Sequence, residues 1–307
     1  MNQLLPSRLE HQPTREHRLT LVPALVPRYS ALALWHLLSL DAPTVAALWT
    51  YFVARCCRVT LPWTAATAMF LAVWMLYATD RLLDARHGNT SELEERHRFH
   101  HRHKHGFLAG IVCASIALAC LLPHVEPTAL RLYALLTSLL FAYFFLIHIY
   151  PSNASPAHSP HRLPKELAVG LFFPAAIFIP TVARAPQLRL MLLPVAFLFA
   201  AVCTLNCLYL YAWEHPGNRR SAHWTTRFAT RNLPLLTLLT LSSAAVLAIV
   251  SRFFMGVPSP LLAMACGLSA AVLLGLHIQR THLTAVHLRA AADLALLTPL
   301  LLLPFTR

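Results

Sequence analysis

Two aspartates four residues apart, Asp80 and Asp84, stand at the end of an apolar run in WMLYATDRLLDARHG (74–88). On a helix this spacing sets both carboxylates on one side, one turn from each other. Near a hydrocarbon boundary such a pair repels itself and is costly to desolvate. A divalent cation relieves both problems, and magnesium is commonly held by one or two carboxylates plus substrate phosphates. A helix end whose aspartates pair with Arg81, Arg86 or another loop arginine fits the same spacing, so spacing alone leaves both readings open.

A second polar group closes CTLNCLYLYAWEHPGNRR (203–220), where Asn206, Tyr209 and Glu214 precede Arg219 and Arg220. At 100° per residue Asn206 and Glu214 lie about 80° apart, on a broad common face. Tyr211 and Trp213 are expected as part of an interfacial aromatic belt. In both stretches acidic or amide groups at the end of an apolar run are followed by arginines.

The elements that carry these groups are membrane helices. Only 12% of the 307 residues are charged and 57% are hydrophobic, against about 25% charged in a soluble domain. Runs such as LLTLLTLSSAAVLAIV (235–250) are long enough to cross a hydrocarbon core of roughly 30 Å. The pattern predicts an all-α polytopic bundle of about nine transmembrane helices, at 34–54, 62–80, 106–123, 127–149, 165–184, 188–213, 232–252, 259–279 and 283–304. Asp41 and Pro43 interrupt the first, where Asp41 could cap a shorter helix. Pro174 and Pro180 are expected to kink the fifth.

Residues 1–30 read as a polar cytoplasmic tail without the residue order of a cleavable signal peptide. Residues 31–307 read as a single transmembrane domain with cytoplasmic loops near 81–105 and 214–231. With nine spans, most of the 25 lysines and arginines fall on the side of the N-terminus and of both large loops. That side is therefore expected to be cytoplasmic, in a bacterial inner (cell) membrane. The net charge of +13 is spread over loops between spans, which argues against nucleic acid as a partner. The seven cysteines lie mostly within apolar runs and fit neither a disulfide framework nor a zinc site.

In span number, loop placement and motif position the chain resembles the UbiA superfamily of intramembrane prenyltransferases. That family carries aspartate-rich motifs at the cytoplasmic ends of helices two and six. DRLLD (80–84) is similar to the second half of N-D-x-x-D-x-x-x-D, with Leu76 and Tyr77 at the positions of its Asn and first Asp. NCLY (206–209) is similar to the opening of D-x-x-Y-x-x-x-D-x-x-x-D, with Asn for Asp. Glu214 falls one residue beyond the next acidic position, and Asn218 one beyond the last.

The resemblance implies Mg2+-dependent transfer of a prenyl group from an allylic diphosphate to an aromatic or lipid acceptor, with membrane lipid as surroundings. It implies Asp80, Asp84 and Glu214 as metal ligands, with Asn206 and Tyr209 beside them as catalytic positions. Arg86, Arg96, Arg98, Lys165, Arg219 and Arg220 become candidates for diphosphate contact. The missing carboxylates leave open a repurposed, catalytically silent member of the same fold.

Five histidines, His97, His100, His101, His103 and His105, fall within nine residues, and HRFHH (97–101) fits the HxxHH box of membrane di-iron hydroxylases. Such a site needs about eight histidines from several boxes. HSPH (158–161) lacks the adjacent pair, and His277, His282 and His287 are dispersed around a helix. The cluster is expected instead to be an adventitious metal binder or a surface facing anionic lipid. His36, Arg289 and Asp293 lie inside predicted spans, where charged groups are presumed functional until paired. Their spacing favours a local Arg289–Asp293 pair, the alternative being a polar floor to a substrate cavity. A transporter built on paired broken helices finds no matching repeat in the hydropathy.

Overall fold

Apolar runs punctuated by proline and short polar turns leave the chain one way to satisfy its backbone in lipid, by closing its hydrogen bonds within helices. The computed structural model describes residues 30–87, 95–149, 165–215, 224–253 and 259–306, and over these the chain is all-helical with no strand. In order the helices are α1 (Ala31–Leu37), α2 (Asp41–Cys56), α3 (Trp63–His87), α4 (Glu95–Arg102), α5 (Lys104–Leu121), α6 (Pro127–Ile149) and α7 (Lys165–Arg184). They continue with α8 (Arg189–Glu214), α9 (Trp224–Arg231), α10 (Leu233–Phe253), α11 (Pro260–Gln279), α12 (Ala285–Leu294) and α13 (Pro299–Leu302).

Among the described residues, 7 helical segments are long and apolar enough to cross a membrane, or 8 if the α1–α2 pair, bent by 89°, is one span. The chain is thus an integral membrane helical bundle by the length and composition of its helices. The last of these segments, Ala285–Phe305, contains α12 and α13 and is broken by 3-10 turns at Ala295–Leu297 and Leu303–Phe305. Pro174 and Pro180 both lie within α7, which runs unbroken from Lys165 to Arg184. The segment expected as a loop near 81–105 is helical over 81–87 and 95–102, and the one near 214–231 is helical over 224–231.

The core gathers around Trp49 of α2. Its ring stacks on Phe199 of α8 with centroids 3.9 Å apart, and its Nε1–H donates to the Leu296 carbonyl at 2.8 Å. That carbonyl is available because the 3-10 turn interrupts the α-helical ladder. α7 and α8 approach closely at Gly170, where a Cβ would collide with Thr204 and stand 3.2 Å from the Ala200 carbonyl oxygen. Small residues at helix crossings are how bundles in lipid bring backbones together.

The α1–α2 bend is the irregular part of the frame. Ser39 sits there at φ 59°, a left-handed conformation unusual for a residue with a side chain. The bend exposes backbone groups that a straight helix would have satisfied. Trp74 of α3 donates its Nε1–H to the Leu38 carbonyl at 3.1 Å, and Arg81 of α3 donates to the His36 carbonyl at 2.7 Å. The bend is therefore held open by side chains from α3.

Candidate functional site

Arg81, the second residue of DRLLD, points into the bundle and is 5% exposed. Its Nη1 donates to the His36 carbonyl at 2.7 Å and to Ser39 Oγ at 3.0 Å, and its Nη2 donates to Asp41 Oδ2 at 3.2 Å. α3 extends to His87, so Arg81 lies well inside the helix and not in the loop where the positive-inside reading had placed it. The sequence clue was available, since the apolar pattern resumes at Leu82 and Leu83 beyond it.

Asp41 opens α2 and is 1% exposed. Its Oδ1 accepts from the Ala42 amide at 3.0 Å, as an aspartate in the first turn of a helix should. Its Oδ2 turns to the bundle centre, where it accepts from His36 Nδ1 at 2.6 Å as well as from Arg81. The expectation of a cap at Asp41 thus captures only one of its two oxygens.

From the same imidazole the cluster continues to α12, with Asp293 Oδ2 3.7 Å from His36 Nδ1. Asn206 Nδ2 of α8 donates to Asp293 Oδ1 at 3.3 Å. The Asn206 carboxamide oxygen is buried without a hydrogen-bond partner. One continuous set of polar contacts therefore joins α3 to α8 through Arg81, Asp41, His36, Asp293 and Asn206. Among the described residues, His36, Asp41 and Asp293 form the one group of three or more His, Cys, Asp or Glu with metal-ligand spacing, their ligand atoms all within 4.8 Å of one another.

The local Arg289–Asp293 pair favoured by spacing gives way to contacts between helices. Arg289 ion-pairs with Glu214 at the end of α8, while Asp293 faces His36 and Asn206. Both partners of each contact come from segments far apart in sequence, which a four-residue spacing cannot reveal.

The expected site residues divide as follows. Asp80 is half-buried near the end of α3. Asp84 and Arg86 are helical, but their side chains lie outside the described residues, as do those of Arg96 and Lys165. Arg219 and Arg220 lie outside the described residues altogether, and Arg98 is exposed on α4. Asn206 belongs to the central cluster. Tyr209 is fully buried, with its hydroxyl 2.7 Å from Thr237 Oγ1 of α10 and its ring stacked on Trp213. Trp213 donates to His277 Nδ1 of α11 at 3.0 Å, so it is a packing residue of the bundle as well as an interfacial aromatic.

The histidine run splits by role. His100 is fully buried, 3.0 Å from Ser39 Oγ, with its ring stacked on Phe107. Arg81 donates to the same hydroxyl, which thus joins α3 and α4 at the bend. His101, His103 and His105 are exposed, and the side chain of His97 lies outside the described residues. For His100 the expected surface role is replaced by a structural one, bracing the strained Ser39 from the α4 side.

A separate apolar cavity of about 280 Å³ lies toward the other end of α3, lined by Ala65, Met69, Ala72, Leu118 and Tyr133, with Glu126 and Arg184 among its polar groups. Met69 and Asp80 are about 16 Å apart along α3.

Comparison with models of known families, with curated proteins and with solved structures finds no match.

Proposed function

We propose that this chain is an integral membrane prenyltransferase of UbiA-like, nine-helix architecture. It would move a prenyl group from an allylic diphosphate to an aromatic or lipid acceptor, at the end of the bundle that carries Asp80. The observation that supports this reading is the polar chain joining α3 to α8. Residues beside the two motif positions, Arg81 next to Asp80 on one side and Asn206 on the other, meet through Asp41, His36 and Asp293. Two segments 125 positions apart in sequence, 81 and 206, thus converge on one buried centre. In a membrane bundle such a centre is a functional site by default.

Magnesium fits the donor set at the end of α3. Two carboxylates one turn apart are hard oxygen ligands of the kind magnesium takes. Asp80 and Asp84 would hold the ion, which supplies charge stabilisation to the departing diphosphate. The cations Arg86, Arg96, Arg98, Lys165, Arg219 and Arg220 draw the anionic donor to this face, and the apolar bundle excludes water from the ionising centre.

The test is binding of geranyl or farnesyl diphosphate to detergent-purified protein, with and without magnesium, beside Asp80→Ala/Asp84→Ala. Magnesium-dependent binding that disappears in the double variant is expected, and Asp84→Asn should lose magnesium-dependent turnover while remaining folded. Full turnover in Asp84→Asn would remove that carboxylate from the reaction.

One observation favours a second reading, a repurposed member of the same fold. Asn206, Tyr209 and Glu214 all engage partners within the bundle, namely Asp293, Thr237 and Arg289. On that reading neither protein form binds the diphosphate. The di-iron alternative has less support, since His100 is committed to Ser39 and Phe107.

A further inference from the structure

We infer that His36, Asp41 and Asp293, completed by the carboxamide oxygen of Asn206, form a binding site for a divalent first-row transition-metal ion. The inference does not depend on prenyl transfer, and neither Asp80 nor Asp84 belongs to the site. Three of its ligands come from three different segments, the end of α1, the start of α2 and α12, and their donor atoms already lie within 4.8 Å of one another. Donor atoms bonded to one ion at about 2.1 Å lie at most about 4.2 Å apart, so binding has to draw this set in by no more than about 0.6 Å.

The second observation is the amide of Asn206. The residue is 6% exposed, its nitrogen donates to Asp293, and its oxygen is buried with no donor facing it. An unsatisfied buried carbonyl oxygen is costly and calls for a partner. Its amide nitrogen already sits on Asp293, and a cation bound at Asp293 supplies that partner. Of the other orphaned buried oxygens, those of Thr50, Thr64 and Thr181, none belongs to a residue of this cluster.

The donor set narrows the ion. Carboxylate and amide oxygens suit manganese, magnesium and calcium, whereas an imidazole nitrogen shifts preference toward iron, nickel, copper or zinc. On binding, the ion takes the Nδ1 position of His36 as the neutral imidazole, whose one proton is then carried by Nε2, and any second proton of an imidazolium is released to solvent. Arg81 remains on Asp41 and balances one carboxylate. The divalent ion then more than balances the other, and the site carries one net positive charge, which draws an anionic ligand. In this arrangement Arg81 orients Asp41 and is not itself a ligand, as the outer partners of metal sites do.

The test uses the full chain in detergent, stripped with chelator and titrated with Mn2+, with the free ion followed by electron paramagnetic resonance. Metal content of the protein as purified is measured in parallel. The expected result is about one Mn2+ per chain, with affinity lowered at least about tenfold in Asp293→Asn and in Asn206→Leu. Asp80→Asn/Asp84→Asn, which removes the carboxylates proposed for magnesium, should still retain one Mn2+ site per chain, and that site should be lost on adding Asp293→Asn. Wild-type protein that neither retains a transition metal nor takes up Mn2+ overturns the inference. Undiminished binding in Asn206→Leu removes the amide oxygen from the site, and loss confined to Asp80→Asn/Asp84→Asn transfers the metal to DRLLD and overturns it also. Asn206→Leu retains every charged group, so the question is answered even if Asp293→Asn does not fold. Diphosphate binding is read separately, so failure here and failure of the transferase reading give different results.

Discussion

α3 passes through two different environments. Around Ala65, Met69 and Ala72 it borders an apolar cavity, and some three turns later Arg81 enters a dense polar centre with hydrogen bonds to three residues. The cavity end tolerates missing contacts, because a void lined by alkyl groups loses only dispersion. The polar end does not, because each group there is already desolvated and depends on its neighbour. The apolar cavity and the buried centre of His36, Asp41 and Arg81 thus lie apart along α3.

The strongest way to break this contrast is Arg81→Leu. It leaves Asp41 buried beside His36 without its guanidinium, and loss of one partner from a buried pair costs about 3–5 kcal/mol. Thermal unfolding in detergent should show a large drop relative to Arg98→Leu, whose guanidinium is exposed. Equal effects of the two would show that Arg81 does not hold the centre together.

A finer probe is Ser39, which combines a left-handed backbone with a hydroxyl that Arg81 and His100 both contact. Ser39→Ala removes the hydroxyl and keeps the strain, whereas Ser39→Gly removes both. Glycine relieves a left-handed site by about 1–2 kcal/mol, so the glycine variant should be the more stable of the two. A glycine variant as unstable as the alanine variant would mean that the hydroxyl contacts, and not the backbone, set the stability of the bend.

The smallest effect on the buried centre is expected at the cavity. Ala68 also lines the cavity, and Ala68→Leu, which adds alkyl carbon at the void, should change stability by no more than about 1–3 kcal/mol. It should leave Mn2+ uptake unchanged. A change in metal affinity in that variant would show that the two ends of α3 are coupled, which their separation along the helix argues against.

These contrasts also show what could be read from residue order. The segments expected at 106–123, 127–149, 165–184 and 188–213 all coincide closely with α5, α6, α7 and α8. Apolar length and proline punctuation act locally, which is why they are legible. His36, Asp41, Arg289 and Asp293 also stood out, because ionisable residues in apolar runs are expensive wherever they lie. Their partners did not. Arg81 resembled one more loop cation, although Leu82 and Leu83 carry the apolar pattern past it, and His100 resembled one more surface histidine, with no neighbour in sequence that predicts its burial.

The amino-acid sequence by itself determined that this is a helical membrane protein, where most of its long apolar helices run and which of several charged residues had to find company inside it. The tertiary structure decided the rest: that Asp41 meets His36 and Arg81, that Asp293 meets Asn206, and that Arg289 goes to Glu214 instead of the aspartate one turn away. The physical reason is the low dielectric of the bundle interior. There a charge is stable only beside its opposite or a strong hydrogen-bond partner, and which helix supplies that partner is fixed by packing.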